Sequence, residues 1–404
     1  MNKNEKYIND YLFFQEGPGV RNYQYTTSGV KLLNVSNLVD GNLDLSNSNR
    51  YISNEEAKGK YKHFLCDVGD LIIASSGIKA DYFDKKMGFV KEEMLPLCMN
   101  TSTIRFKPLN ESDMNIKYFM YYLKSSHFRK QLEYNLTGSA QLNFGPSHLK
   151  KMKFIYHDIS KQKEIVEKLD SISNMINLKK EQLLNFDVLI KSQFVEMFGD
   201  PKTNEKGWIK KCMGEYMTVL TDFSSNGSYK TLDSTVTMYD EPNYAYMVRT
   251  TDLENEDFKN NVKYITEEAY NFLSKSKVYP NDIIMNKIGS AGKVYIMPDV
   301  GMPVSLGRNA FLFRYNNNIE PVFIYYLLKS EYGVNEISQY IRGAVTKTIT
   351  KDDVRKIKII VPPMELQNKF AQIVEQIDKQ KFEFEKSLKK LEELQASLMQ
   401  EYFG

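Results

Sequence analysis

The stretch Gly289-Ser290-Ala291-Gly292-Lys293 is the nearest approach in this chain to a phosphate-cradling loop. Such a loop needs Gly-x-x-x-x-Gly-Lys-Ser/Thr, so that backbone N–H groups surround the phosphates and a hydroxyl holds magnesium. Here the spacing is too short and Val294 stands where the hydroxyl would be, which excludes a P-loop nucleotide hydrolase. An amino-methyltransferase would show Asn/Asp-Pro-Pro-aromatic to grip an extruded base. The Pro362-Pro363 pair is instead flanked by Val361 and Met364 and lacks the amide or acid that accepts the amino hydrogen bond. His63, His127, His148 and His157 are scattered, without metal-ligand spacing or a nucleophile partner. Residues 44–49 resemble a calcium loop only faintly, because the glycine and the distal Glu are missing. Cys66, Cys98 and Cys212 are too dispersed for a zinc site or a disulfide framework and read as small core residues. No catalytic constellation is present in the sequence, and no cofactor or metal site is expected on this chain.

Composition bounds what positions these residues. At 404 residues, 42% hydrophobic and 13% aromatic, the chain has material for two ordinary cores. No run of 18 or more apolar residues occurs and the first residues are polar, so no membrane association is expected and the expected compartment is the cytoplasm. A net charge of +3 neither requires nor excludes a nucleic-acid partner.

The governing feature is a duplication. Gly138, the run Leu149 to Phe154, Gln162 and Phe198-Gly199 return as Gly343, the run Val354 to Ile359, Gln367 and Phe403-Gly404, always 205 positions later. That interval is too long for a solenoid repeat. In each copy a variable stretch is followed by a charged segment of helical period. The first helix is expected to begin near Asp158 or Ser160 and to stop at Gly199 and Pro201, with a seam of Ile165, Leu169, Ile172, Ile176, Leu183, Phe186, Ile190 and Phe194. The second is expected after Pro362-Pro363, with a seam of Phe370, Ile373, Ile377, Phe384, Leu388, Leu391, Leu394 and Leu398. Aligning Ile165-Val166-Glu167 with Ile373-Val374-Glu375 implies a three-residue insertion at one helix start. A narrow seam on each of two helices about 50 Å long is not stable alone in water. Mutual antiparallel packing is the economical solution; packing of each helix on its own domain is the alternative.

The remaining segments read mainly as short strands and loops. A strand pattern over Tyr61 to Ile73 runs into Ala74-Ser75-Ser76-Gly77-Ile78-Lys79, and one over Val278 to Met285 runs into the loop from Asn286 to Lys293. Each half then has a short aromatic helix, residues 118–125 and 323–330, whose rings are expected to be core. The expected fold class is α+β, with two duplicated domains, mainly β with short helices, separated by two long helices that form an antiparallel coiled coil about a pseudo-twofold axis.

The run Lys31 to Leu38, the run Tyr244 to Leu253, the segment Phe194 to Asp200, and Pro362-Pro363 with Gln367 occur in order within this duplicated frame. On these residues the chain resembles the specificity subunit of type I restriction-modification systems over essentially its full length. His157-Asp158-Ile159 stands where the first copy would have its Pro-Pro. The resemblance implies target-recognition domains at 1–158 and 200–363, a central conserved helix at 159–199 and a C-terminal conserved helix at 364–404. It implies a non-catalytic DNA-binding subunit that reads a bipartite, asymmetric site in double-stranded DNA and positions two adenine-N6 methyltransferase subunits on it, with two restriction subunits where these exist. S-adenosylmethionine would belong to the methyltransferase partner, and ATP with magnesium to the motor and nuclease partner. Under that reading the DNA-binding candidates are Ser75, Ser76, Gly77, Lys79, Gln141 and Asn143 in the first half, and Lys287, Gly289, Ser290, Lys293, Thr346, Lys347 and Thr348 in the second. Phe194, Met197, Phe198, Met399, Tyr402 and Phe403, at the helix ends, are candidates for packing or for methyltransferase-partner contacts rather than DNA contacts. The competing readings are a self-contained DNA-modifying enzyme and a scaffold that binds only proteins.

Overall fold

The computed structural model describes residues 4–46, 49–135 and 142–404. By contacts the chain divides into two units, residues 1–180 with 386–404, and residues 181–385. Each unit therefore holds one globular domain together with part of both long helices, which cuts across the four segments expected from the sequence.

The two long helices run Ile159–Phe198 and Met364–Phe403, 40 residues each. Asp158 caps the first, its carboxylate accepting from the Lys161 amide at 3.0 Å. Gly199 ends it in the left-handed conformation, φ +72°, which a residue with a Cβ adopts only at a cost. Pro363 opens the second, its carbonyl accepting from the Leu366 and Gln367 amides. Starts and ends keep the 205-residue interval, so the expected insertion is absent. The counterparts of buried Ile165, Leu169 and Ile172 are buried Phe370, Val374 and Ile377. Val374, not Ile373, occupies the seam, and the Ile-Val-Glu match was a local coincidence of letters.

Within each unit the helix segments run antiparallel. In unit 1 the Gln395 amide donates to the Ser173 hydroxyl at 2.8 Å and Lys180 pairs with Glu392 at 2.8 Å. In unit 2 Lys381 pairs with Asp187 at 3.1 Å, and the Phe186 and Phe384 rings meet edge to face at 5.4 Å. The seam is most deeply buried where the globular domain also covers it, at Ile165 and Leu169 and again at Phe194 and Phe370. Where only the other helix is available, cover is thinner, and Leu394 of the expected seam is 47% exposed. Among the described residues no helix is long and apolar enough to cross a membrane.

Each globular domain has two sheets of three or four strands, with two-stranded ladders beside them. In unit 1 an antiparallel sheet takes the order Leu12–Glu16, Thr103–Pro108, Leu71–Ala74, Met87–Phe89; in unit 2 the order is Met217–Asp222, Ala310–Tyr315, Ile283–Asn286, Val294–Ile296. The second sheet centres on a parallel pair, Val30–Leu33 with Leu97–Met99 and Ala245–Val248 with Val304–Leu306. The expected strands are shorter than their patterns: Lys62–Phe64 is a 3-10 turn and only Leu71–Ala74 is strand, while Lys277–Val278 and Ile283–Asn286 are separate strands. Gly69 and Asn281, both at positive φ, break the runs. The aromatic helices Ile116–Leu123 and Pro321–Lys329 bury Tyr118, Phe119, Tyr122 and Phe323 as expected of core. Cys66 and Cys98 are buried, whereas Cys212 is half-exposed beside the Lys358 ammonium.

One glutamine ties helix to domain in each copy. Gln162, fully buried, accepts from the Asn115 amide at 2.8 Å and donates to the Asp113 and His157 carbonyls at 3.0 and 2.7 Å. Gln367, also fully buried, accepts from the Glu320 amide at 2.9 Å and donates to the Asn318 and Pro362 carbonyls at 3.1 and 2.8 Å. All three partners keep the 205-residue interval, so both functions of a primary amide are satisfied identically twice. Gln367→Ala leaves three backbone groups unpaired, of which the Pro362 carbonyl is buried and the other two are in part-buried bonds, and we expect a loss on the order of 2 kcal/mol in unit 2, read as a lower urea midpoint. An unchanged midpoint would show that water replaces the amide without cost.

Candidate nucleic-acid interface

The end of the third strand of each antiparallel sheet is where the expected loops meet. In unit 1 the Ser75 amide donates to the Ser102 carbonyl at 2.9 Å, and the Phe144 amide donates to the Ser75 carbonyl at 2.9 Å. In unit 2 the Lys287 amide donates to the Asn309 carbonyl at 2.8 Å, and the Ile349 amide donates to the Lys287 carbonyl at 3.1 Å. Ser102 and Asn309 both sit at positive φ, +67° and +71°. One knot of three segments is thus built twice, from the glycine loop, the turn before the last strand of the sheet core, and the loop leading to the long helix.

The two candidate loops of each half, about 60 residues apart in sequence, are therefore neighbours. Ser76–Ile78 pairs antiparallel with Leu142–Asn143, Asn143 lying opposite Ser76. In unit 2 Ile288 bridges Thr348 and the Gly289 amide donates to the Lys347 carbonyl at 3.0 Å. Gly77 and Gly289 have φ of +74° and +81° with open space where a Cβ would stand, so both mark backbone turns open to an approaching partner. Gly77, Lys79, Asn143, Gly289, Lys293, Thr346 and Lys347 are exposed, and Ser76, Ser290 and Thr348 are half-buried. Gln141 lies outside the described residues, as do Gly138 and Ser139.

Two candidates are not free to touch a ligand. Ser75 is fully buried, with its hydroxyl lacking a hydrogen-bond partner among the described residues. Its strand-end position holds the loop from inside. Lys287, only 15% exposed, donates to the Asp222 carboxylate at 2.7 Å and lies over the Phe311 ring. Lys351 reaches the other oxygen of Asp222 at 2.9 Å and the Ser225 hydroxyl at 2.8 Å. Burial alone would raise the Asp222 carboxyl, but hydrogen bonds from Lys287, Lys351 and Ser225 outweigh it and hold its pKa at about 2. In unit 1, Ser75 and Pro146 stand in the places of Lys287 and Lys351, so the matching strand-end acid, Glu16, faces no such lysine pair. The sequence does contain Lys351 in a modest basic stretch, but nothing marks Asp222, which is 129 residues distant, as its partner.

Of the two roles expected for the helix-end residues, the contacts within each unit are those of packing. Phe198 packs on Phe323 and Phe370 at ring distances of 4.8 and 5.5 Å, and Phe194 stacks on Phe323 at 5.9 Å. Phe403 packs on Tyr118 at 5.1 Å and on Tyr122 at 6.2 Å. Phe194, Phe198, Tyr402 and Phe403 are buried in the cores of their own units. Met197 and Met399 are half-buried at the edges of those cores. Apolar residues at a helix end satisfy a domain core as readily as a partner, and sequence does not distinguish the two.

Comparison with known proteins places this geometry in context. The family model described as "Type I restriction modification DNA specificity domain" matches twice, over residues 20–185 and 208–396. Among curated proteins the chain is 29% identical over 147 residues to the type I restriction enzyme MjaVIII specificity subunit of Methanocaldococcus jannaschii, a match spanning 33% of this chain and 34% of that protein. It is 22% identical over 379 residues to the putative type I restriction enzyme MjaX specificity subunit of the same organism, covering 90% of this chain and 85% of that one. Among solved structures, the type I restriction-modification S subunit from M. genitalium matches at TM-score 0.55 and 16% identity, covering 100% of this chain and 97% of that one. A chain from a structure addressing complex assembly and conformational transition of the type I R-M system matches at TM-score 0.57 and 15% identity, covering 97% of each. At these identities the structural likeness establishes the fold.

The Asp222 cluster makes unit 2 acid-sensitive in a defined window. Because the folded carboxyl titrates at about 2, below its ordinary 3.8, its stabilisation is complete above that ordinary value and is lost as pH falls toward 2. Urea unfolding of unit 2 between pH 5 and pH 2 is expected to show a shallower pH slope in Asp222→Asn than in the unsubstituted chain. Parallel slopes would mean that the lysines do not stabilise the ionised form.

Proposed function

Because the chain belongs to the type I restriction-modification DNA specificity family, we propose that it is the DNA sequence-recognition subunit of a type I complex. It reads a bipartite, asymmetric site in double-stranded DNA, one half by each globular domain, and positions two adenine-N6 methyltransferase subunits there, with two restriction subunits where the host supplies them. The observation that carries this reading is the duplicated knot of loops. The same backbone scaffold, with the same three-segment hydrogen bonding, presents Ser76, Gly77, Lys79 and Asn143 in one unit and Gly289, Ser290, Lys293, Thr346, Lys347 and Thr348 in the other. A constant frame with different polar side chains suits two readers of different sequences, since base identity is carried by donor and acceptor patterns in the major groove while lysines and backbone amides hold phosphates.

In this role the chain itself is non-catalytic. S-adenosylmethionine resides on the methyltransferase partner, and ATP and magnesium on the motor and nuclease partner. The long helices act as the spacer: bases between the half-sites are counted rather than read. With a net charge of only +3, DNA binding by the chain alone is weak and becomes tight when the methyltransferase subunits complete a clamp.

The deciding experiment is single-molecule sequencing of DNA from a methylation-free host expressing this chain with its neighbouring methyltransferase gene, and each alone. N6-methyladenine at a split motif is expected only for the pair; methylation by this chain alone would establish the self-contained enzyme, and none in any strain would favour the scaffold. Exchanging residues 1–158 for those of a relative should change one half-site and leave the other intact, and altering both would refute independent reading. Adding or deleting a heptad in both long helices should change the spacer and not the half-sites. In the assembled complex, Lys79→Ala, Lys293→Ala or Lys347→Ala should each reduce the slope of log affinity against log salt by about 1. An unaltered slope would remove that lysine from the phosphate contacts.

A further inference from the structure

Beside the paired loops of unit 2 lies a carboxylate held by a neutral amide as well as by a lysine. Glu254 ends the helix Thr250–Glu254, and its side chain is 33% exposed. Its Oε1 accepts from the Asn286 side-chain amide at 3.0 Å, and the Tyr295 hydroxyl lies 3.4 Å from that same nitrogen. Asn286 is almost completely buried and is the last residue of the strand that feeds the glycine loop. Lys293 stands 3.9 Å from the same carboxylate. Glu254, Lys293 and Lys347 line one hollow of about 510 Å³, walled by Leu328, Ile337 and Ile341. A fixed negative charge among lysines that face a polyanion repels phosphates and weakens sequence-independent binding. It is compatible with tight binding where it accepts a hydrogen bond from the DNA.

We propose that Glu254 is a specificity-determining residue, accepting a hydrogen bond from the exocyclic amino group of one cytosine or adenine in the major groove of the half-site read by unit 2. The inference rests on the specificity-subunit reading above. A carboxylate only accepts, so it favours an edge bearing an amino group and rejects the O6, O4 and N7 acceptors that the alternative bases present. Asn286 holds one oxygen, and a carboxylate has acceptor sites for about four hydrogen bonds, which leaves room for a further donor. Asn286 is the positioning residue: anchored in the strand, it fixes the carboxylate before DNA arrives, so less side-chain freedom is lost on binding. In unit 1 the structurally matching residue is Ala74, which pairs with Thr103 as Asn286 pairs with Ala310 and has no side chain able to make that bond. The pin thus belongs to one reader and not to the shared scaffold, as a residue that distinguishes two targets must.

The test is the methylation motif itself. The chain is expressed with its methyltransferase partner as the unsubstituted form, as Glu254→Ala and as Glu254→Gln, and methylated sites are sequenced; the half-site of unit 2 is assigned by the exchange of residues 1–158. In Glu254→Ala one position of that half-site, a cytosine or adenine on one strand, should lose at least fivefold of its preference while the other half-site stays fixed. The base found there tells which amino group is read. In Glu254→Gln, which keeps the side-chain size but adds an amide donor, that one position should shift from cytosine toward adenine or, where adenine is already read, begin to admit guanine, whose O6 and N7 accept from the amide. Should Glu254→Ala fail to accumulate, the Gln variant decides alone. An unchanged motif in either folded variant, or a uniform drop in methylation at all sites with no position relaxed, would overturn the inference and leave Glu254 as a structural partner of Lys293. Absence of methylation by the unsubstituted pair would instead sink the specificity reading, and this inference with it.

Discussion

A buried primary amide that bonds three backbone groups couples each long helix to its domain. Helix starts leave amides and the preceding carbonyls without partners, and the turn before the aromatic helix has the same problem. Gln162 and Gln367 solve both at once, each taking an amide from the aromatic helix cap and giving its two N–H groups to carbonyls from that turn and from the residues just before the long helix. The direction in which each long helix leaves its domain follows from that junction. So does the burial of the seam residues that come one and two turns later, Ile165 and Leu169 in one copy and Phe370 and Val374 in the other.

The same economy governs the loops. Hydrogen bonds among backbone atoms carry the shared scaffold, through Ser75 with Ser102 and Phe144, and through Lys287 with Asn309 and Ile349. Backbone bonds tolerate changes of side chain, so the residues presented on the scaffold are free to differ. They do: unit 2 fills the strand ends with the Asp222 ion cluster and the Glu254 and Asn286 pair, where unit 1 has Ser75, Pro146 and Ala74. A buried cluster in which two lysines share one carboxylate is satisfied internally and keeps Lys287 from solvent. A lysine beside a glycine loop is therefore not by its position a phosphate ligand.

Much was legible in the sequence because it is duplicated. The constant interval of 205 residues, the helical period and the capping residues located both long helices, and the antiparallel pairing followed from two narrow seams that need cover. The glycine loops and their exposed members, Gly77, Lys79, Lys293 and Lys347, were visible as turn chemistry beside short strands. The apparent three-residue insertion was wrong because identity of letters over three residues is weaker than the periodicity of burial over forty.

What sequence determined is everything set by local periodicity and by covalent spacing: element type, caps, and the repetition of one design. Tertiary structure alone decided which polar residues are available. Ser75 and Lys287, candidates for DNA contact, are internal, and Phe198 and Phe403, candidates for packing or for a partner, are core. Nothing in the sequence marks Glu254, which the fold brings 3.0 Å from an asparagine 32 residues away. Burial and long-range pairing depend on which segments meet in space, and no window along the chain contains that information.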